Sequence, residues 1–160
     1  MSASDTLPVD IISQDHHEIA ALITAQFRAL SWDEEKPADT ETLTNAYLEK
    51  AQLFSSTRPA QAQSAIDFAS RMTALRDNGR LDAFEEVGRG LHIWITGNIA
   101  VAMAGCEMHE NRTTVTEDIS AFLLVKNPDG WSIAAHAWDI VPSIAQAFAA
   151  NALNAEPINT

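Results

Sequence analysis

His136 and Asp139 stand three positions apart in an apolar stretch near the end of the chain. On a strand, that spacing turns the two side chains to opposite faces, so they cannot form a dyad through one face. One of them can point inward, and an imidazole is the side chain best suited to moving protons near neutral pH. The alternative for Asp139 is a cap or an ion pair at a sheet edge. Glu85, Glu86 and Glu107 are further candidates, because a carboxyl group inside an apolar cavity gains a raised pKa and can act as acid or base. Glu107 shares a strand face with Val101, Met103 and Gly105, which places it to close such a cavity; otherwise it is a solvated strand end beside His109, Glu110 and Arg112. Gln26 lies on the apolar stripe of a helix with Ile19, Leu22, Ile23, Phe27 and Leu30. Burying an unpaired amide costs about 1–3 kcal/mol. Gln26 is therefore bonded within the core or aimed at a ligand. Tyr47, the only tyrosine, offers one phenolic hydroxyl.

Other patterns carry less chemistry. His16 and His17 are adjacent, and neighbouring helix positions diverge by about 100°, so they share no face for a metal. His92 and His109 have no ligand partner nearby in sequence, and neither a metal nor a cofactor is expected. Cys106, the single cysteine, lies in an apolar run and reads as a buried structural thiol. No Ser-His-Asp order, Cys-His pairing or phosphate-cradling glycine loop rises above background.

The elements that must position these residues follow from periodicity. Asp15 and Glu18 form a capping signal for a first helix, preceded by a flexible tail over residues 1–14. A shorter helix after Asp39 turns Leu43, Ala46 and Tyr47 inward, and residues 52–54 make a brief strand. A third helix carries Ala65, Phe68, Met72 and Leu75 on one face and stops at Asn78-Gly79. Four strands follow, over residues 81–96, 99–108, 117–126 and 131–141. Gly97-Asn98 and Asn127-Pro128-Asp129-Gly130 supply turns. Residues 143–160 form a C-terminal helix and tail, leaving one domain over residues 15–142. Helices first and a meander second is the α+β class. In the strands, Ile99, Val101 and Met103 oppose Ala100, Ala102, Ala104 and Cys106. Ile119, Ala121, Leu123 and Val125 oppose Ser120, Phe122 and Leu124, while Trp131 and Ile133 oppose Ala134 and Trp138. Both faces are apolar, so both are expected to be covered, one by the helices and the other by a second subunit in a homodimer.

A length of 160 residues fits one domain, and 46% hydrophobic content supplies a core. The net charge of −12, with only 10 basic residues, argues against nucleic acid and against an anionic membrane surface. The N-terminus has neither the basic start nor the apolar run of a signal peptide. No stretch reaches membrane-spanning length. A cytoplasmic location is expected, which the lone cysteine fits.

Gly97-Asn98-Ile99-Ala100-Val101 at a hairpin, and Asp129-Gly130-Trp131-Ser132-Ile133 leading to Trp138-Asp139, resemble motifs of the nuclear transport factor 2-like superfamily in its polyketide-cyclase-like and ketosteroid-isomerase-like branches. The resemblance covers roughly residues 15–141. It implies N-terminal helices packed on a strongly bent antiparallel sheet, a cone with an internal apolar pocket for a small hydrophobic or polyketide-like molecule. Gln26, Phe27, Tyr47, Phe54, Phe68, Met72 and Phe122 are the expected wall of that pocket. Isomerase-like members place a general-base Asp just after the short strand, where this chain has Ser55. They also place a Tyr on the first helix, where it has Gln26. A serine is no base near neutral pH, so the steroid-isomerase mechanism is not expected. Three readings stay open: a small-molecule-binding protein, a lyase, isomerase or cyclase using His136, Asp139 or Glu107 in proton transfer, and a non-catalytic dimerisation module.

Overall fold

A computed structural model describes residues 9–151 and 153 of the chain. The elements run α1 (Val9–Ala29), α2 (Thr40–Asn45), β1 (Tyr47–Phe54), β2 (Ala62–Gln63), α3 (Ala65–Asp77), β3 (Phe84–Thr96), β4 (Ile99–Glu110), β5 (Thr114–Asn127), β6 (Gly130–Val141) and α4 (Ile144–Ala150). The six strands form one open sheet in the order β2-β1-β6-β5-β4-β3. Helices packed on a bent sheet make the α+β cone, but the sheet is mixed, because β1 pairs parallel to β6 while the other pairs are antiparallel. No helix among the described residues is long and apolar enough to cross a membrane.

Local chemistry explains most element ends. Asp39 caps α2 by accepting from the Thr42 amide, and Ser64 caps α3 by accepting from the Asp67 amide. Gly79 follows α3 at φ +76, the left-handed conformation that stops a helix. Gly97 and Gly130 take positive φ in the two expected hairpin turns. α1 begins at Val9 rather than at Asp15. The Asp15 carboxylate is not free to cap, since it accepts from Lys126 Nζ at 2.8 Å and from Trp131 Nε1 at 3.0 Å, tying α1 to the sheet. Residues 1–8 of the expected tail, with 152 and 154–160, lie outside the described residues. Tyr47 opens β1 instead of ending α2, so β1 is longer than residues 52–54.

The strand faces separate as alternation demands, with one exception. Ala100, Ala102, Ala104, Cys106, Ser120, Phe122 and Leu124 are buried against α1 and α3, with Ile19, Ile23, Phe27 and Phe68 opposite them. In β6, Ile133 pairs with Leu124 and Ala135 with Leu123, so Ala134 bulges out of register. One extra residue reverses side-chain direction beyond it. Trp131, Ile133, His136 and Trp138 therefore all face inward, where strict alternation sets Trp138 against Ile133. A similar break between Gly88 and Leu91 bends β3. The outer face is partly covered by α4, whose Ile144 packs so closely on Gly105 that a Cβ there would collide with it. The rest of that face is bare: Trp94 is 77% exposed, Val101 46% and Leu123 46%.

Candidate functional site

A cavity of about 490 Å³ opens between α1, α3 and the concave face of the sheet. That volume suits a small organic ligand. Its apolar wall comes from Phe27 and Leu30 on α1, Phe68 and Met72 on α3, and Trp138 on β6. Its polar groups include Gln26 from α1, Glu86 from β3, Asp118 and Ser120 from β5, and His136 from β6, together with Ser55, Ser56, Thr57, Arg71 and Glu110. A larger, open concavity of about 740 Å³ runs along the far side of α1 past His16, His17, Arg28 and Lys36. It contains no buried acid–base group; those lie in the smaller cavity.

Strand parity sets the polar groups side by side. Gly88, Cys106 and Asp118 lie in one cross-strand row, and Glu86 belongs to the next row with Met108. Ser120 follows Asp118 on the same face and pairs with Trp138. His136 is fully inside, its ring stacked on Phe122 with centroids 4.0 Å apart. Nδ1 lies 2.8 Å from the Tyr47 hydroxyl and Nε2 lies 2.9 Å from Ser120 Oγ. Burial pushes the imidazole pKa down to about 3, so His136 is neutral at pH 7. A neutral ring has one donor and one acceptor. The Tyr47 phenol keeps its proton, its pKa pushed up by burial and then by Glu86, and Nδ1 is the acceptor within its reach. Nδ1 accepting leaves the proton on Nε2, which donates to Ser120 Oγ.

The carboxyl groups differ from each other. Asp118 is 3% exposed, and burial pushes its pKa up to about 7. Glu86 is raised well above the ordinary value, first by burial and then by the charge of Asp118. Burial thus favours the protonated form of Glu86, while Asp118 is poised to gain or lose a proton near neutral pH. Asp118 Oδ1, Glu86 Oε2 and Gln26 Oε1 are buried without a hydrogen-bond partner among the described residues. Cys106, between the two carboxyl groups, has its pKa pushed up by burial and by both of them, and remains a thiol.

The residues singled out from sequence divide accordingly. Gln26, Phe27, Phe68, Met72 and His136 line the cavity. Tyr47 and Phe122 stand behind it, each against His136. Phe54 ends β1 half-buried and is not part of the lining. Glu107 faces away, held by Arg89 at 3.2 Å and His109 at 2.7 Å, and Arg89 is the main cause of its lowered pKa. Asp139 is 66% exposed on the outer side and lies 3.9 Å from Arg58. Alternation excludes both: Glu107 is odd-numbered in a strand whose even residues face inward, and Asp139 follows the inward Trp138. Asp118 was missed. Its parity with Ser120 and Phe122 was the signal, one residue inside the expected strand start.

No family model matches the chain, and no curated protein matches it. Solved structures do match. A protein from Streptomyces avermitilis, provisionally named a dehydratase of the nuclear transport factor 2-like family, aligns at TM-score 0.65 and 15% identity over 82% of this chain and 99% of its own. A nuclear transport factor 2-like protein with a cystatin-like fold from Novosphingobium aromaticivorans aligns at TM-score 0.67 and 15% identity, covering 92% and 97%. A provisionally named scytalone dehydratase from the same organism aligns at TM-score 0.66 and 10% identity, covering 82% and 87%. The fold is the cystatin-like cone of the nuclear transport factor 2-like proteins. At these identities the likeness extends to the fold alone. Within this cystatin-like cone, the polar floor must be read from this chain's own residues.

Proposed function

We propose that the protein is a lyase or isomerase that transfers protons on a small hydrophobic substrate, with Asp118 as the base and Glu86 as the acid. The observation that carries this reading is the Asp118 carboxyl, sealed in the cavity with Oδ1 unpartnered and a pKa near 7. Two neighbouring carboxyl groups, both pushed up by burial and Glu86 further by the charge of Asp118, can share the roles of acid and base. Asp118, ionised, takes a proton from a carbon next to a carbonyl. In a lyase, Glu86 gives its proton to a leaving hydroxyl, the C–O bond breaks, a C=C bond forms and water departs. In an isomerase, Asp118 returns the proton at another carbon. Exchange with solvent restores both carboxyl groups. The apolar walls strengthen each charge interaction by keeping water out. The dehydratase names of two similar structures accord with the lyase form. Pure binding of an apolar molecule gives no reason to bury two unpaired carboxyl groups, at a cost of several kcal/mol if both ionise.

The experiment is deuterium exchange at the carbon next to the carbonyl of a cyclic ketone such as 1-tetralone, followed by proton NMR in D2O. The wild-type chain is expected to speed exchange at least ~100-fold over Asp118→Asn, the usual scale of general-base catalysis. Equal rates for the two chains would sink the proposal. A second copy of the chain covering the bare outer face of β3, β4 and β5 is the assembly this reading assumes. Its support is the apolar row of Trp94, Val101 and Leu123, which are paired across those strands.

A further inference from the structure

Of the residues that line the internal cavity, only Thr57 and Arg71 are exposed, so they mark its mouth. Arg71 stands on α3 with its guanidinium 5.7 Å from the centroid of the buried Phe68 ring. Contact with that ring holds the long side chain over the opening. From there an aromatic wall runs inward. Phe68 lies against Trp138 with centroids 5.2 Å apart, and Trp138 against His136 at 4.8 Å. Ser55, Ser56 and Thr57, just after β1, complete the mouth. Arg58 shapes that segment by donating from Nη1 to the Ser55 and Thr57 carbonyls, at 3.0 Å each. The Ser56 and Thr57 hydroxyls have no partner among the described residues. The other charged side chains of the wall are Glu86, Glu110 and Asp118, so Arg71 is its one cation. Arg89, Arg112 and Lys126 are each tied to a carboxylate elsewhere, and Arg58 lies 3.9 Å from Asp139. Arg71 has no carboxylate within ion-pair distance among the described residues. In a chain of net charge −12, a guanidinium held in place without a counter-charge is suited to an anion from outside.

We infer that Arg71, with the Ser56 and Thr57 hydroxyls, forms an anion subsite at the cavity mouth, where it holds a carboxylate at the outer end of a ligand. A carboxylate matches the guanidinium fork in shape and charge. Glu86, Glu110 and Asp118 are all less exposed than Arg71, and like charge keeps a carboxylate from turning inward among them. The subsite therefore fixes orientation: the charged end stays at the rim and the apolar body lies along Phe68 and Trp138. This goes beyond the proton-transfer reading, because it concerns how a ligand is held, whether or not it is turned over.

Two probes of nearly equal shape, 2-naphthylacetate and 2-naphthylacetamide, differ by one charge. Calorimetric titration of the whole chain at low salt should find the carboxylate about 5-fold tighter, the upper end for an ion pair in contact with water. High salt should shrink that preference, because Arg71 is exposed. Arg71→Met keeps an unbranched apolar stem beside Phe68 and removes the charge. It should bind both probes alike and hold the amide as tightly as wild type does. Arg71→Lys should restore part of the preference through charge alone. Exposed substitutions of this kind rarely disturb a fold, and circular dichroism checks it. If a variant fails to fold, the wild-type ranking and its salt dependence still decide, since the wall has no other cation. Equal binding of the two probes by wild type, no binding of either, or a preference that survives Arg71→Met overturns the inference. Deuterium exchange is read separately, on uncharged 1-tetralone. The preference without exchange defeats only the proton-transfer reading, and exchange without the preference defeats only this one.

Discussion

Asp118 is costly to keep where it is, and the cost depends on pH in a way that can be measured. Its ordinary pKa is 3.8 and its folded value is about 7, so the folded chain binds the proton more tightly than the unfolded one. Stability from this group is fully present below pH 4 and is lost as pH rises through 7, by about 4 kcal/mol. His136 acts oppositely. Its pKa falls from 6.5 to about 3, so the stability tied to the neutral ring is present above pH 6.5 and lost as pH falls towards 3. Asp118→Asn removes the first dependence and leaves the second. In urea melts the variant should be more stable than wild type at pH 8, by up to about 4 kcal/mol, and level with it at pH 4. An equal gap at both pH values would mean that the carboxyl is not titrating in this interval.

Much of the element scale was legible in the sequence, because caps, turns and alternation are local. Asp39, Asn78-Gly79, Gly97-Asn98 and the turn ending at Gly130 all stand where their chemistry suggested. The bulge at Ala134 was not legible, since nothing in Ser132-Ile133-Ala134-Ala135 distinguishes a bulge from plain alternation; the pairing with Leu123 and Leu124 decides it. Ala46 and Tyr47 continue a helical spacing in the sequence, whereas in the fold the Ile133 amide donates a hydrogen bond to the Ala46 carbonyl and draws the chain into the sheet. The apolar outer face was readable, and it carries a prediction of its own. Val101 lies between Trp94 and Leu123 in the exposed row. Sedimentation velocity should find the wild type as a dimer and Val101→Asp as a monomer, because a buried unpaired carboxylate is not tolerated at an interface core. A wild-type monomer at tens of micromolar would remove the dimer from the account.

For the whole molecule, composition and charge set broad limits but did not locate the site. Apolar periodicity shaped the cone, and the cone is shared by proteins at 10–15% identity, so the fold cannot choose a reaction. The choice rests on a few side chains brought together from five elements: Gln26, Tyr47, Glu86, Asp118 with Ser120, and His136. Their sequence separations hid this. Asp118 stands beside Glu117 in an ordinary strand start, and only closure of the sheet beneath α1 and α3 gives it a dry surrounding. The same burial makes it a usable base at neutral pH. The most direct measurement is a carbon-13 NMR titration of the Asp118 side-chain carboxyl in the wild-type chain. A midpoint near 7 is the result expected here. A midpoint near the ordinary value of 3.8 would mean that water reaches the carboxyl freely, and the proton-transfer site would have lost its base.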